Sequence, residues 1–169
     1  CKLVVSHRPM ECAHRVARAA SCLALLGVVD LPAAPVQGLI AHWSLDDAGT
    51  GAISDAVQPD RLSIIHGATD IPGKAGRGLL FDGRDDYVQL GELGDHRAVT
   101  IAFWMRPEAG GDPAGFQGLV TSDTWGPGCL HLPLRQRKLD VFLHTGGGSR
   151  ARVSSAQLHY GVWYHVAVT

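Results

Sequence analysis

From Gly38 onward, apolar and polar residues alternate with a period of two. In Leu39-Ile40-Ala41-His42-Trp43-Ser44-Leu45 the odd positions are apolar, and Ile40 is the only large apolar residue among the even ones. Val99, Ile101, Phe103 and Met105 form one wholly apolar face. Leu130, Leu132 and Leu134 alternate with His131 and Pro133, and Leu139, Val141 and Leu143 alternate with Asp140, Phe142 and His144. Val162, Tyr164, Val166 and Val168 alternate with Trp163, His165 and Ala167. A strand sends successive side chains to opposite faces, so this alternation predicts half-buried strands. The gaps hold turn residues: Asp47-Ala48-Gly49-Thr50-Gly51, Pro72-Gly73-Lys74, Asp82-Gly83, Gly110-Gly111-Asp112-Pro113, Gly126-Pro127-Gly128 and Gly146-Gly147-Gly148. Short strands separated by such turns predict an antiparallel all-β sandwich or barrel. No segment after residue 37 shows a helical period.

Residues 1–37 read differently. Basic His14, Arg15 and Arg18 precede the apolar run from Ala19 to Val29, and Leu31-Pro32-Ala33-Ala34 follows. A charged region, an apolar stretch and small residues, in that order, predict a secretory signal over about residues 10–34, cut near Ala33–Pro35. The apolar run is shorter than the ~20 residues needed to cross a bilayer. The other readings of this run are an amphipathic or buried helix and a mistranslated upstream stretch. The division expected is an N-terminal extension over 1–37 and a β-sandwich over 38–169.

Composition adds constraints. Of 169 residues, 46% are hydrophobic and 18% charged, so the chain can build a core. A net charge of −1 without a Lys/Arg run argues against nucleic acid as a partner. Cys1, Cys12 and Cys22 precede the sandwich at spacings that match no metal or redox pattern. Cys129 is then expected to be an unpaired, buried thiol.

Three stretches, in order, resemble the laminin-G-like jelly roll of the concanavalin A-like lectin/glucanase superfamily. They are Gly38-Leu39-Ile40-Ala41-His42-Trp43-Ser44-Leu45-Asp46-Asp47, with Asp55 beyond it; Pro72 to Val88, reading PGKAGRGLLFDGRDDYV; and Val99 to Pro107 paired with Trp163 to Thr169. The resemblance spans about Gly38–Thr169 and implies an antiparallel jelly-roll sandwich. It also implies further strands beyond Thr169 that would complete the sheets, without which inner faces and a sheet edge would be left uncovered. After Asp55 the sequence Ala56-Val57-Gln58-Pro59-Asp60 departs from the family's usual small polar residues and Asn-Gly turn.

The superfamily includes glucanases, but a retaining glycosidase needs two carboxyls about 5–5.5 Å apart. A strand-borne Glu-x-Asp-x-x-Glu would provide them, and it is absent here. Glu11, Glu92 and Glu108 are the only glutamates, and Glu92-Leu93-Gly94-Asp95 has the wrong spacing. Gly147-Gly148-Ser149-Arg150-Ala151 lacks the last glycine of a nucleophile elbow. The glycines around Lys74 fit neither a phosphate loop nor a dinucleotide turn. A non-enzyme is therefore expected. The strand histidines fall on outward positions and read as surface residues.

Two sites remain. The resemblance implies a structural Ca²⁺ at the sandwich rim, which would suit Asp46 and Asp55 at either end of a Gly-rich turn, hard oxygen donors of the kind calcium takes. Asp82, Asp85 and Asp86 crowd a second turn, and Asp beside Gly also caps turns unaided. Trp125, a loop tryptophan in Ser122-Asp123-Thr124-Trp125-Gly126-Pro127-Gly128, is the candidate ligand-binding residue, since such a ring can stack on a sugar or fill a hot spot. Trp43, Trp104 and Trp163 read as packing residues. The expectation is a secreted or cell-surface recognition module that binds a glycan or extracellular protein through rim loops, inserts no segment of its own into a membrane, and is joined to further domains. The alternatives are an accessory domain of a glycoside hydrolase and a structural or adhesive surface module.

Overall fold

The computed structural model describes residues 3–6, 37–109, 116–144 and 150–169. The expected signal segment at 10–34 lies outside them. The described residues form strands and one 3-10 turn, Ala48–Thr50, with no α-helix. In chain order the strands are β1 Leu3–Ser6, β2 Leu39–Trp43, β3 Ala52–Ser54, β4 Leu62–His66, β5 Thr69–Pro72, β6 Arg77–Leu80 and β7 Tyr87–Gln89. Then come β8 Thr100–Met105, β9 Phe116–Thr121, β10 Leu130–Arg135, β11 Lys138–His144, β12 Arg150–Ser154 and β13 Tyr164–Val168. Among them no helix is long and apolar enough to cross a membrane.

Two four-stranded antiparallel sheets carry the fold, in the orders β13-β8-β1-β2 and β12-β11-β10-β9. A three-stranded sheet β3-β4-β7 and the hairpin β5-β6 complete it. The alternation read from the sequence sets the inner faces. Ala41 and Trp43 of β2 and Ile101, Phe103 and Met105 of β8 are buried, as are Leu132 and Leu134 of β10 and Leu139 of β11. These residues join Leu45, Ile53 and Leu79 in one core, which makes the pair of sheets a sandwich. Where the inner faces part, a cleft of about 1510 Å³ is lined by Leu45, Leu79, Phe103, Leu119 and Leu134, among others. Trp125 does not line it.

The sandwich includes a strand from the N-terminal side of Gly38. Leu3-Val4-Val5-Ser6, an apolar and partly β-branched run, pairs antiparallel with both β2 and β8. The boundary expected at Gly38 leaves this strand out, because four residues are too few to show a period. At the other end, Val162, grouped with the β13 face in the sequence, precedes that strand and is exposed.

The outer edge of β2 is closed by Asp55, Ala56 and Arg61 instead of a strand. Asp55 accepts the His42 amide through Oδ1 at 2.8 Å, the Ala56 amide donates to the His42 carbonyl at 2.8 Å, and Arg61 Nη1 donates to the Ile40 carbonyl at 3.1 Å. These bonds use backbone groups that would otherwise template another chain.

Candidate functional site

Opposed residues of an antiparallel pair share a face, and so do residues two apart on one strand. His131 of β10 is opposite Phe142 of β11, and His144 lies two residues beyond Phe142. Alternation therefore puts three rings on the outer face of the β10–β11 ladder, behind the leucines that build the core.

The connection from β9 to β10 folds over this face. The Ser122 amide donates to the Leu130 carbonyl at 3.0 Å, and the Ser122 hydroxyl accepts the Leu130 amide at 3.1 Å. Gly128 donates to the His144 carbonyl at 2.8 Å, and the His144 amide returns a bond to the Cys129 carbonyl at 3.0 Å. Gly128 has φ +87°, a conformation glycine reaches without the clash a Cβ would cause. The loop is thus fastened at both ends, and Trp125 is laid across the rings.

Trp125 stacks on His131 with centroids 3.7 Å apart and planes 8° from parallel. It meets Phe142 edge-on at 6.4 Å and His144 at 5.3 Å. One indole face is covered by His131, yet the residue as a whole is 59% exposed. Buried Cys129, free as expected, lies beneath the loop with its Sγ 3.4 Å from Thr124 Oγ1.

His131 is 2% exposed, and its Nε2 is 3.1 Å from the Thr124 carbonyl oxygen. A carbonyl only accepts, so in this bond Nε2 carries the proton. Burial lowers the His131 pKa from the ordinary 6.5; the Thr124 bond opposes this and nearby His144 adds to it. His144 is 9% exposed, and its buried Nε2 has no hydrogen-bond partner among the described residues. The surface reading of the strand histidines is corrected for these two. They do occupy the outer face, but Trp125 and its loop exclude water there.

The aspartates expected at the rim sit in structural roles. Asp55 is fully buried; Oδ1 accepts the His42 and Val57 amides at 2.8 and 2.9 Å, and Oδ2 holds Arg61 Nη1 at 2.8 Å. A cation there would have to displace Arg61, so the donor set does not fit calcium. Asp46 is exposed and is engaged elsewhere, with Oδ1 accepting the Arg77 amide at 3.0 Å beside Gly76 at the tip of the β5-β6 hairpin. Asp82, Asp85 and Asp86 bring ligating atoms within 4.8 Å of one another. Asp82 Oδ1 accepts the Arg84 amide and Asp86 Oδ2 the Asp82 amide, both at 2.8 Å, the bonding of an Asp-capped turn.

The other tryptophans pack against the fold. Trp43 is completely buried, Trp104 lies under Lys74 Nζ at 5.6 Å from the ring centre, and Trp163 under the Arg106 guanidinium at 5.2 Å. Sequence reasoning placed Trp125 in a loop, as the structure does, but missed His131 and His144 beneath it. The signal was present in the shared face of positions 131, 142 and 144; the roof over that face was not.

No curated protein and no solved structure matches the chain. A laminin-G family model, described as Concanavalin A-like lectin/glucanases superfamily, matches residues 82–169, a span that includes the Trp125 loop and the whole β9–β11 platform. With that match over more than half its length and an antiparallel sandwich fold, the chain belongs to the concanavalin A-like lectin/glucanases superfamily.

Proposed function

We propose that the chain is a non-catalytic recognition module whose ligand is a glycan, taken on the open face of Trp125. The observation that carries this reading is the Trp125–His131 stack: a largely exposed indole held parallel to a buried imidazole at 3.7 Å. An aromatic side chain fixed before binding loses little rotational freedom when a ligand arrives. Its flat apolar face suits the C–H face of a sugar ring, and exposed Asp123 and Thr124 beside it offer polar atoms to hydroxyls. Glu108 is bonded to Arg106 at 2.5 Å, so one of the few glutamates is already engaged in an ion pair. The family supports an exported protein, joined to further domains, in which this sandwich supplies the binding.

A glycan array probed with the full chain and with Trp125→Ala tests the reading. The expected result is retention of a defined set of glycans by the native chain and loss of all of them in the variant, with unchanged far-UV circular dichroism. Equal retention by the variant, or no retention by the native chain, would refute it.

A further inference from the structure

The Trp125 indole rests on two titratable rings that are shielded from water. His131 and His144 are both buried, with ring centroids 5.8 Å apart and planes at 74°, and both meet the indole. A neutral imidazole packs there as any flat ring does. An imidazolium donates from both nitrogens and needs water or an acceptor for its added proton. Nε2 of His131 is already engaged with the Thr124 carbonyl, and Nε2 of His144 has no hydrogen-bond partner among the described residues.

Among the described residues the surroundings supply little counter-charge. On β11, Asp140 lies two residues before Phe142 and is held by Arg135 of β10 at 2.9 Å. On β9, uncharged Thr121 stands opposite His131. On β12, the register sets Arg150 opposite His144 and Arg152 opposite Phe142, two cations. In the loop, Asp123 is exposed to water, and Cys129 is a thiol that stays neutral in acid. A proton on either histidine is poorly accommodated while the indole lies over the pair.

The roof is the part that can yield. Its backbone bonds lie toward the ends, Ser122 to Leu130, Gly126 to Cys129 and Gly128 to His144. Between them Asp123, Thr124 and Trp125 are exposed, and this stretch is held by the indole stack, the Thr124–His131 bond and the Thr124–Cys129 contact. Burial is the larger effect on His131 and lowers its pKa from the ordinary 6.5, against the Thr124 bond, which a charge tightens. Raising the indole admits water to both rings and removes that burial.

We infer that the His131–His144 pair is an acid-sensitive latch on the Trp125 loop: a proton taken up by the pair lifts the indole from His131, so that the ligand face is presented at neutral pH and withdrawn in acid. Such regulation rests on the proposed reading of Trp125 as the glycan-binding face. The ligand favours the closed loop and the proton the open one, so each weakens the binding of the other. One coupled proton lets affinity fall by at most about tenfold per pH unit below the ordinary imidazole range.

Fluorine NMR of the full chain labelled with fluorotryptophan reads the latch without any ligand. The four tryptophan resonances are assigned by replacing each residue with Phe in turn. From about pH 7.5 to about 5 the Trp125 resonance should move toward its value in the urea-unfolded chain, at the midpoint of the His131 imidazole titration. Those of Trp43, Trp104 and Trp163 should hold still, and in His131→Phe the Trp125 movement should shrink. A Trp125 resonance that stays in place while His131 titrates overturns the latch. So does movement of all four resonances together, which is acid unfolding, or an undiminished movement in His131→Phe. Should that variant not fold, the two midpoints in the native chain decide alone. Glycans retained by the native chain at neutral pH are then measured again in acid, where retention should be severalfold lower. Retention indifferent to pH beside a moving indole overturns the withdrawal of the ligand face. A moving indole with no glycan retained at either pH upholds the latch and refutes the glycan reading.

Discussion

The Asp55 carboxylate, itself sealed from solvent, holds the Arg61 guanidinium at 2.8 Å, and together they close the outer edge of β2. Removing one partner of such a pair leaves an uncompensated buried charge, which costs about 3–5 kcal/mol. Asp55→Ala should therefore lower stability by about that amount, measured by urea denaturation, with a free β2 edge promoting aggregation. Because the bonding is internal, the loss should be the same in calcium and in chelator. A native chain whose melting temperature rises with calcium, and an Asp55→Ala variant that no longer responds, would assign the carboxylate to a metal after all.

Asp46 ties the end of the β2 segment to the β5-β6 hairpin. Its Oδ1 accepts the Arg77 amide, and a Cβ on Gly76, where φ is +62°, would lie 2.1 Å from that oxygen. Asp46→Ala removes that exposed hydrogen bond, whose loss should cost about 1 kcal/mol. Gly76→Ala forces both a clash and a left-handed alanine, so it should cost more. An Asp46→Ala variant that melts with the native chain would remove Asp46 as the clamp.

The β10–β11 hairpin turns through Gln136 and Arg137, both with positive φ, at 50° and 63°. Two-residue turns of this hand favour Asn-Gly because other side chains are strained there. Arg137 is held by its carbonyl, which accepts the Leu158 amide at 2.7 Å, and by its guanidinium 5.5 Å from the Tyr160 ring centre. Gln136 is exposed. Gln136→Asn should therefore stabilise the chain, visible as a higher denaturation midpoint at unchanged slope.

The strands with strict alternation were legible: Ile101, Phe103 and Met105 are buried together as their spacing requires. β11 was less so. Asp140 is 1% exposed and bonded to Arg135 at 2.9 Å, while Leu143 is 42% exposed. An ion pair and a strand end override a two-residue pattern there. In β4 the order is inverted, with Ser63 buried opposite Ile53 and Leu62 and Ile64 exposed. The site divided in the same way. Trp125 stood out because turn residues surround it. The burial of His131 depends on where a loop lands, which is a tertiary fact. Asp55 carries no sign in the sequence that Arg61 is its partner.

The lowered pKa of His131 makes stability depend on pH with a definite sign. Above the ordinary value of 6.5 the imidazole is neutral in both folded and unfolded chains, and its contribution is fully present. As pH falls from 6.5 through the lower folded value, the unfolded chain takes up the proton first and stability declines. Denaturation midpoints measured between pH 7.5 and about 5 should follow this course. His131→Phe keeps a ring under Trp125 without a titrating group, so its midpoint should decline less over the same range. An identical decline would place the acid sensitivity elsewhere.

Trp125 links that titration to the proposed ligand face. Desolvation is the main cause of the His131 shift, and the indole 3.7 Å away is part of what excludes water. Trp125→Ala should cost about 0.5–1.5 kcal/mol in ring contact beyond the area lost. It should also let water reach the imidazole, moving the His131 pKa upward toward 6.5, which a proton NMR titration of the imidazole resolves. The acid decline in stability should then shrink in the variant. A bound glycan covers the open indole face without disturbing the stack, so in the native chain it should leave the pKa low or push it lower. If Trp125→Ala leaves the His131 titration where it was, the indole is not the roof of the histidine, and the preformed platform on which the recognition proposal rests is lost.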